Sequence, residues 1–382
     1  MNLSFTMSTF FMFRKVIVIG ILIMNAVNMG QAQEKERNTK VRLGIAGLTH
    51  GHVHWIMNRM VEERFEIVGI SEPNKELAKG LSQRYGFSMD LVYTDLEDMV
   101  ESTKPEGVLA FNSIKGHLDV VRTCAPEGIH VMVEKPLAAS LADALEIKRL
   151  TEAHDIHVLT NYETSWFATT HLAYQKLNTQ GTLGEVRKMV VHDGHQGPKE
   201  IGVGPEFLEW LTDPDENGGG AVIDFGCYGA NIMTWLLKGQ RPLDVQGTLQ
   251  QIKPDIYPDV DDEATIVLRY PNAQGIIQAS WNWPYSRKDV EVYGTDGALI
   301  CEDGTRARMV DSQGESEVIT LEVLRGGYAD PFTQFSEIIR GNLELPPYDL
   351  LSLENNLIVM EILDAAIRSS KEGKTISLDR ND

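Results

Sequence analysis

The chain is poor in cysteine, with three among 382 residues. Cys124, Cys227 and Cys301 stand far apart, so neither a disulfide framework nor a thiolate metal cluster is indicated. Basic residues are also scarce: 35 Lys and Arg against 55 Asp and Glu leave a formal charge of −20. Charge of that sign argues against nucleic acid and against stable association with an anionic membrane. No internal repeat or low-complexity tract is evident. No apolar run is long enough to read as a membrane span. What remains is ordinary globular material, 42% hydrophobic and 24% charged, with length enough for two domains.

The first forty residues stand apart from that material. Arg14 and Lys15 precede the short apolar run Val16–Met24, and Gly30-Gln31-Ala32 follows. This is the layout of a cleavable signal peptide over residues 1–32, with 33–40 as a linker. Met1–Phe11 is apolar too, so Met12 is an alternative start. With no lipobox cysteine and no twin arginine, the expectation is a periplasmic or secreted protein. An uncleaved anchor is the alternative.

From Val41 the pattern alternates. Val41-Arg42-Leu43-Gly44-Ile45-Ala46-Gly47 reads as a strand entering a turn. Val53, Ile56, Met57, Met60 and Val61 have helical spacing, and Phe65–Ile70 is a second strand ending at Ser71-Glu72-Pro73. Strand, turn, helix, strand and acid in that order are the layout of a dinucleotide-binding unit. Glu72 stands 25 positions after Gly47, where a carboxylate accepts ribose hydroxyls and disfavours a 2′-phosphate. NAD is therefore expected over NADP. The glycine fingerprint is incomplete, however. In Gly47-Leu48-Thr49-His50-Gly51-His52 only the first glycine stands in place. A Thr49 hydroxyl can donate to a phosphate, whereas His52 adds bulk where helix and strand should pack closely. His50 and His52 read as cofactor or substrate contacts.

Further strands follow at Glu106–Asn112 and Ile129–Val133, with a helix over about 116–125 between them. Ser140 and Asp143 resemble a capping box opening a helix to about His154, and Ile156–Thr160 closes the series as a sixth strand. This alternation predicts a parallel, doubly wound sheet over residues 41–160. Glu134-Lys135-Pro136 ends one of its strands. Lys135 would point into the crevice where such sheets bind ligands, as a phosphate or ribose contact or as a proton-transfer group.

Glu134-Lys135-Pro136-Leu137, with Asn112 and His117 before it and Gly181-Thr182-Leu183-Gly184-Glu185-Val186 after it, resembles the glucose–fructose oxidoreductase, inositol dehydrogenase and rhizopine-catabolism superfamily. The resemblance extends from about Val41 to Leu378 and takes in Gly218-Gly219-Gly220 and Val292–Gly297. It implies a nicotinamide-binding Rossmann domain and a C-terminal domain with an open, mainly antiparallel sheet that carries the substrate and often forms the dimer. It also implies cofactor contacts from Gly47, Thr49, His50, His52, Glu72, Asn112, His117, Glu134 and Lys135. Asp224-Phe225-Gly226-Cys227-Tyr228-Gly229-Ala230-Asn231 matches a family segment whose usual acid/base is His. Here Tyr228 holds that place, and Asn231 replaces an Asp. A tyrosine is a poor base at neutral pH, but a cation nearby would favour its phenolate. Lys135 and Tyr228 are thus expected as a proton-transfer pair, with Asp224 orienting the site.

Residues 161–382 are expected to form the substrate and dimerisation domain, ending in a helix over about 351–369. Tyr162, Glu163 and Trp166 make a polar, aromatic loop after the sixth strand, and Trp283 lies in Trp281-Asn282-Trp283-Pro284-Tyr285. With Asn231 these are the expected contacts to a sugar or polyol. Export adds a chemical constraint: outside the cytoplasm no pool replenishes free NAD, so a secreted dehydrogenase must hold its cofactor and restore it within each cycle. Ping-pong exchange does this, and so does a redox-neutral glycoside cleavage. Two other readings stand beside these. The paired histidines (His50 with His52 and His54, His154 with His157, His192 with His195) could open a metal-dependent hydrolase on a TIM barrel. Alternatively, the chain could be a non-catalytic member that binds a ligand.

Overall fold

The protein is described here by a computed structural model covering residues 39–325 and 330–378. The signal-peptide segment lies outside the described residues. Six short strands make the first sheet, five largely buried and β3 half-buried: β1 Val41–Ala46, β2 Phe65–Ser71, β3 Val92–Tyr93, β4 Gly107–Ala110, β5 His130–Glu134 and β6 Val158–Asn161. Their order is β3-β2-β1-β4-β5-β6 and every pairing is parallel. The order reverses beside β1, so β1, β4 and β5 carry their C-terminal ends to the switch point where open α/β sheets bind ligands.

Local chemistry explains the connecting helices. Asn74 caps Lys75–Tyr85 by accepting from the Leu77 N–H, and left-handed Gly86 ends it. Ser140 caps Leu141–His154 through the Asp143 N–H, as its spacing suggested. The helix expected after the glycine turn departs from its reading. It consists of a 3₁₀ turn at Gly51–Val53 and four α-helical residues, His54–Met57. The His50 side chain accepts from the His52 N–H, and the chain then turns early toward a bridge at Val61.

The second sheet holds β7 Val186–Gly194, β8 Asp244–Gln250, β9 Glu263–Arg269, β10 Gln274–Ser280, β11 Arg287–Gly294, β12 Gly297–Cys301, β13 Arg306–Asp311, β14 Ser316–Thr320 and β15 Ile376–Ser377. Their order is β14-β13-β12-β11-β7-β10-β9-β8-β15. Only β7 and β10 pair in parallel; the rest of the ladder is antiparallel. The fully buried helix Gly226–Leu236 packs against β7 and β10, and Leu353–Glu372 packs on it in turn. Gly229 permits the close approach, since a Cβ there would lie 2.7 Å from Ile277.

The two halves are tied together by the C-terminal segment. Phe332, on the helix Pro331–Ile339, sets its ring 6.3 Å from both Phe65 and Phe111 of the first half. Arg340 pairs with Glu106, and the Thr160 N–H at the end of the first sheet donates to the Leu351 carbonyl at 3.0 Å.

Candidate active site at the junction of the two sheets

The glycine turn is braced from within. Gly47 has φ +80°, and a Cβ there would lie 2.9 Å from the Asn112 backbone, so glycine is required. Both Glu72 carboxylate oxygens are engaged at 2.8 Å, one by the Leu48 N–H and one by the Asn74 N–H. Burial pushes this carboxyl up, with those two N–H groups working against the shift. The N–H groups of Thr49 and His50 both donate to the Phe111 carbonyl, and that of Gly47 to Ser71. From the second half, the helix Pro205–Leu211 lies over the turn. Trp210 Nε1 donates to Thr49 Oγ1 at 3.1 Å, and the His50 ring packs 5.0 Å from Phe207 and 5.7 Å from Trp210.

At the end of β5 the carboxylate of Glu134 collects two side chains. His52 Nδ1 lies 2.8 Å from one oxygen, and Asn161 Nδ2 donates to the other at 2.7 Å. Burial opposes its charge, but His52 and His50 outweigh burial and hold the carboxyl at about 2. Burial pushes the pKa of His50 well below its ordinary value. Potential ligand atoms of His50, His52 and Glu134 lie within 4.8 Å of one another, and those of His192, Asp289 and Glu291 form a similar group on the second sheet. In both groups hydrogen bonds already join members: His52 with Glu134, and His192 with Asp289 at 3.0 Å. The open parallel sheet is no TIM barrel, so the barrel-hydrolase reading of the histidine pairs is overturned.

Lys135 follows, buried, across a cis bond to Pro136. Its ammonium donates to the Asp224 carbonyl at 2.8 Å and to the Asp224 carboxylate. Burial opposes the ammonium charge, yet the carboxylate prevails, so the Lys135 pKa is raised and that of Asp224 lowered. Trp281 Nε1 donates to the second Asp224 oxygen at 3.0 Å. Asp224 is presented by a glycine-rich approach clamped on Asp261, which accepts from the Gly220 and Val222 N–H groups at 2.9 and 2.8 Å. A Cβ on Gly220 would fall 1.7 Å from the Asp261 carbonyl.

The proton pair expected from the sequence is corrected here. Lys135 does not reach for the Tyr228 hydroxyl; its Nζ sits 5.2 Å from the ring centroid, with its hydrogen bonds going to Asp224. Burial pushes the Tyr228 hydroxyl well above the usual phenol value, and Glu163 and Asp193 push it further. Tyr228 therefore keeps its proton. A second ammonium, Lys288 on β11, lies closer to that ring, at 4.1 Å. It donates to Glu163 at 2.7 Å and stands 3.7 Å from Asp193 on β7, directly across the ladder. Burial pushes Asp193 up to about 8 despite Lys288 and Lys135. Asp193, Lys288, Phe225, Glu163 and His195 share the wall of a cavity of about 550 Å³. His195 Nδ1 accepts from the Gly197 N–H, so its Nε2 presents a donor.

The other expected substrate residues scatter. Glu163 lines this cavity, and Trp166 a neighbouring one. Tyr162 is fully buried and packs edge-on to Tyr228 at 5.4 Å. Asn231 is buried and gives its amide to the Leu350 carbonyl and the Asn355 side chain, which is a structural role rather than a substrate contact. Trp283 packs beside Gly194 and Arg287 and is absent from the cavity wall. Asp193 and Lys288 were not singled out from the sequence. Their signal, an acid and a base opposed on β7 and β11, becomes visible only once the register is known.

Two stretches match known families: residues 41–162 an oxidoreductase family with an NAD-binding Rossmann fold, and residues 171–300 the GFO/IDH/MocA C-terminal domain. The chain belongs to the GFO/IDH/MocA oxidoreductases. Myo-inositol 2-dehydrogenase of Thermotoga maritima is 22% identical over 347 residues, covering 89% of this chain and 99% of that one. D-xylose 1-dehydrogenase [NADP(+)] of Haloarcula marismortui is 23% identical over 295 residues, 76% of this chain and 79% of its own. The fold is shared with the aldose-aldose oxidoreductase of Caulobacter crescentus, at TM-score 0.75 and 21% identity over 89% of this chain and all of that one. It is also shared with an inositol dehydrogenase homolog of Azotobacter vinelandii, solved with NADH and myo-inositol, at 0.76 and 15% over 89% and 98%. The matched family model is NAD-binding, and open sheets of this kind bind dinucleotides in the crevice where, here, β1, β4 and β5 end. The residues here suit that ligand: Asn112 Oδ1 and His117 Nε2 are buried there without a protein partner. Burial lowers the His117 pKa to about 4, so it meets a ligand uncharged. The pyrophosphate end departs from the usual cradle, because the N–H groups of Gly47, Leu48, Thr49, His50 and His52 are taken. The Thr49 hydroxyl hydrogen and the His50 ring are what this chain offers instead.

Proposed function

We propose that this protein is an exported sugar or polyol oxidoreductase that retains its NAD through the catalytic cycle. The observation that carries the reading is the buried Lys135–Asp224 pair beside Tyr228, at the end of β5 and next to a polar cavity. Bound NAD supplies the hydride acceptor. The chain's own residues handle the proton. Lys135 places positive charge near the oxygen that loses its proton, and Asp224 with Trp281 keeps that ammonium fixed. Tyr228 Oη, protonated at neutral pH, donates a hydrogen bond or a proton. Asp193, pushed up to about 8, is the cavity group suited to accept one in its ionised form, which gains population above neutral pH.

The segment Arg14–Ala32 supports export, and the helix carrying Trp210 over the glycine turn supports retention. No helix among the described residues is long and apolar enough to cross a membrane. Gln246 and Thr248 on β8 are exposed, and Val267 and Ile276 beside them only half-buried, leaving one sheet face open for a second copy. The decisive experiment is to denature the mature protein and identify any nucleotide released. The intact protein is then mixed with sugars alone and with a ketose acceptor. Bound NAD should be reduced once by a donor alone, then turn over when the acceptor is added. Steady turnover that needs excess free NAD would defeat retention, and a protein with no affinity for NAD or NADP would defeat the oxidoreductase reading.

One observation favours a second outcome of the same chemistry. A carboxylic acid still protonated near pH 7, Asp193, can protonate a departing glycosidic oxygen once a neighbouring carbon is oxidised. Release of an aglycone without net NADH would identify that redox-neutral route.

A further inference from the structure

A second cavity, of about 390 Å³, adjoins the polar one, and Glu163, Phe167 and Gly304 belong to the walls of both. Its lining has a different chemistry: Trp55, Trp166, Phe167, Val323 and Phe332. The charged groups on its wall are already matched. Arg59 bonds Glu62 at 2.9 Å and Asp330 at 3.1 Å, while Glu163 accepts from Lys288. Among the described residues of its wall no unpaired charge is left to recruit an ion.

Two of its aromatic walls are held by one carboxylate. Trp166 Nε1 donates to Asn161 Oδ1 at 3.0 Å, and Asn161 donates in turn to Glu134. Trp55 stacks on the His52 ring at 3.9 Å and 14°, and His52 is bonded to the other oxygen of Glu134. Gly304 lets the chain lie against Phe167, whose ring would be 3.0 Å from a Cβ there. Indole faces held in place beside a hydrogen-bonding cavity suit a flat apolar group attached to a polar one.

We propose that this aromatic cavity is a subsite for an aryl aglycone, borne by the sugar that lies against Lys288 and Asp193. The substrate class is then an aryl glycoside rather than a free sugar or inositol. The inference rests on the reading of the polar cavity as a sugar site, and the test separates the two.

The NAD-loaded full chain is mixed with paired phenyl and methyl glycosides of several hexoses, and reduction of bound NAD is followed at 340 nm. For a sugar that reacts, the phenyl glycoside should react with kcat/KM about tenfold above its methyl partner, the scale of one aromatic contact. Trp55→Ala should bring that ratio close to one, and so should Val323→Trp, which fills the cavity from an exposed position. Equal rates for both partners in the unaltered protein would overturn the subsite while leaving the sugar oxidoreductase intact. A preference that survives both substitutions would overturn it too. If no glycoside reduces the cofactor, the sugar reading fails instead. Quenching of tryptophan fluorescence then decides the subsite alone: phenyl glycosides must bind more tightly than methyl ones, and Trp55→Ala must abolish the difference.

Discussion

Two ammonium groups reach the Tyr228 ring from different sheets, and their surroundings differ. Lys135 comes from the end of a buried parallel strand, and its hydrogen bonds all go to one residue, Asp224. Lys288 comes from an antiparallel strand and divides itself among Glu163, the more distant Asp193 and the tyrosine face. A cation locked to one buried partner is a fixed electrostatic element. A cation shared between two acids, one of them near its own titration point, adjusts as protons come and go. The Rossmann half thus provides a constant field, and the open sheet provides the groups that titrate.

The largest expected effect separates these roles. Lys135→Ala should slow turnover by roughly 10²–10⁴, the usual worth of general acid–base assistance. It should also cost about 3–5 kcal/mol of stability, because Asp224 is left buried without its partner. Lys288→Ala should cost about 1 kcal/mol or less, since Glu163 is partly exposed and Asp193 can stay neutral. Urea midpoints and single-turnover rates for both variants check this, and equal stability losses would break the distinction. Tyr228→Phe should slow the chemistry within the same range without the stability loss. Combined with Lys135→Ala it should add little if both side chains serve the same reacting oxygen, even though they share no hydrogen bond.

A smaller effect concerns pH. Asp193 titrates near 8 when folded and near the ordinary aspartate value when unfolded. Between those values the folded chain holds a proton that the unfolded chain has shed. Stability therefore falls as pH rises through that window, by about 1.4 kcal/mol per unit from this group. Asp193→Asn should remove that slope, visible as urea midpoints that drop less from pH 5 to pH 8. Lys288→Met should move the Asp193 limb of the kcat/KM profile upward, because the ammonium is foremost among the charges holding that pKa down. A limb that stays in place would assign it to another group.

The same division governs what could be read without a structure. The parallel sheet, Lys135, Asp224 and the cap at Ser140 were legible because each depends on neighbours in sequence: a strand end, a glycine-rich turn, a serine three residues before its donor. β3, two residues long, carries no periodicity to detect. Asp193 and Lys288 depend on the register of β7 against β11, which no local pattern encodes. Asn231 misled because it closely follows Asp224 and Tyr228 in sequence while its side chain faces the start of the last helix, which itself runs Leu353–Glu372 rather than 351–369. For Tyr228 the expected lowering of its proton affinity is reversed. Burial among Glu163, Asp193 and Asp224 outweighs a lysine that touches only its ring.

The smallest effect is expected where the second half reaches across to the first. Trp210 donates to Thr49 and packs on His50, closing a turn in which the Gly47, Leu48, Thr49, His50 and His52 N–H groups are already spent. One neutral hydrogen bond and one aromatic contact are each worth about 1 kcal/mol. Trp210→Ala should therefore release bound nucleotide faster by up to roughly thirtyfold, a change for dilution into a nucleotide scavenger to measure. The Lys135 and Asp193 signatures lie elsewhere, so the pH profile of a single turnover from preloaded protein should keep its shape. A shifted profile would mean that the helix Pro205–Leu211 positions the proton-handling groups as well. An unchanged release rate would mean that the cofactor is held from the β5 side, by Glu134, Lys135 and His117, with the aromatic cover contributing only to the fold.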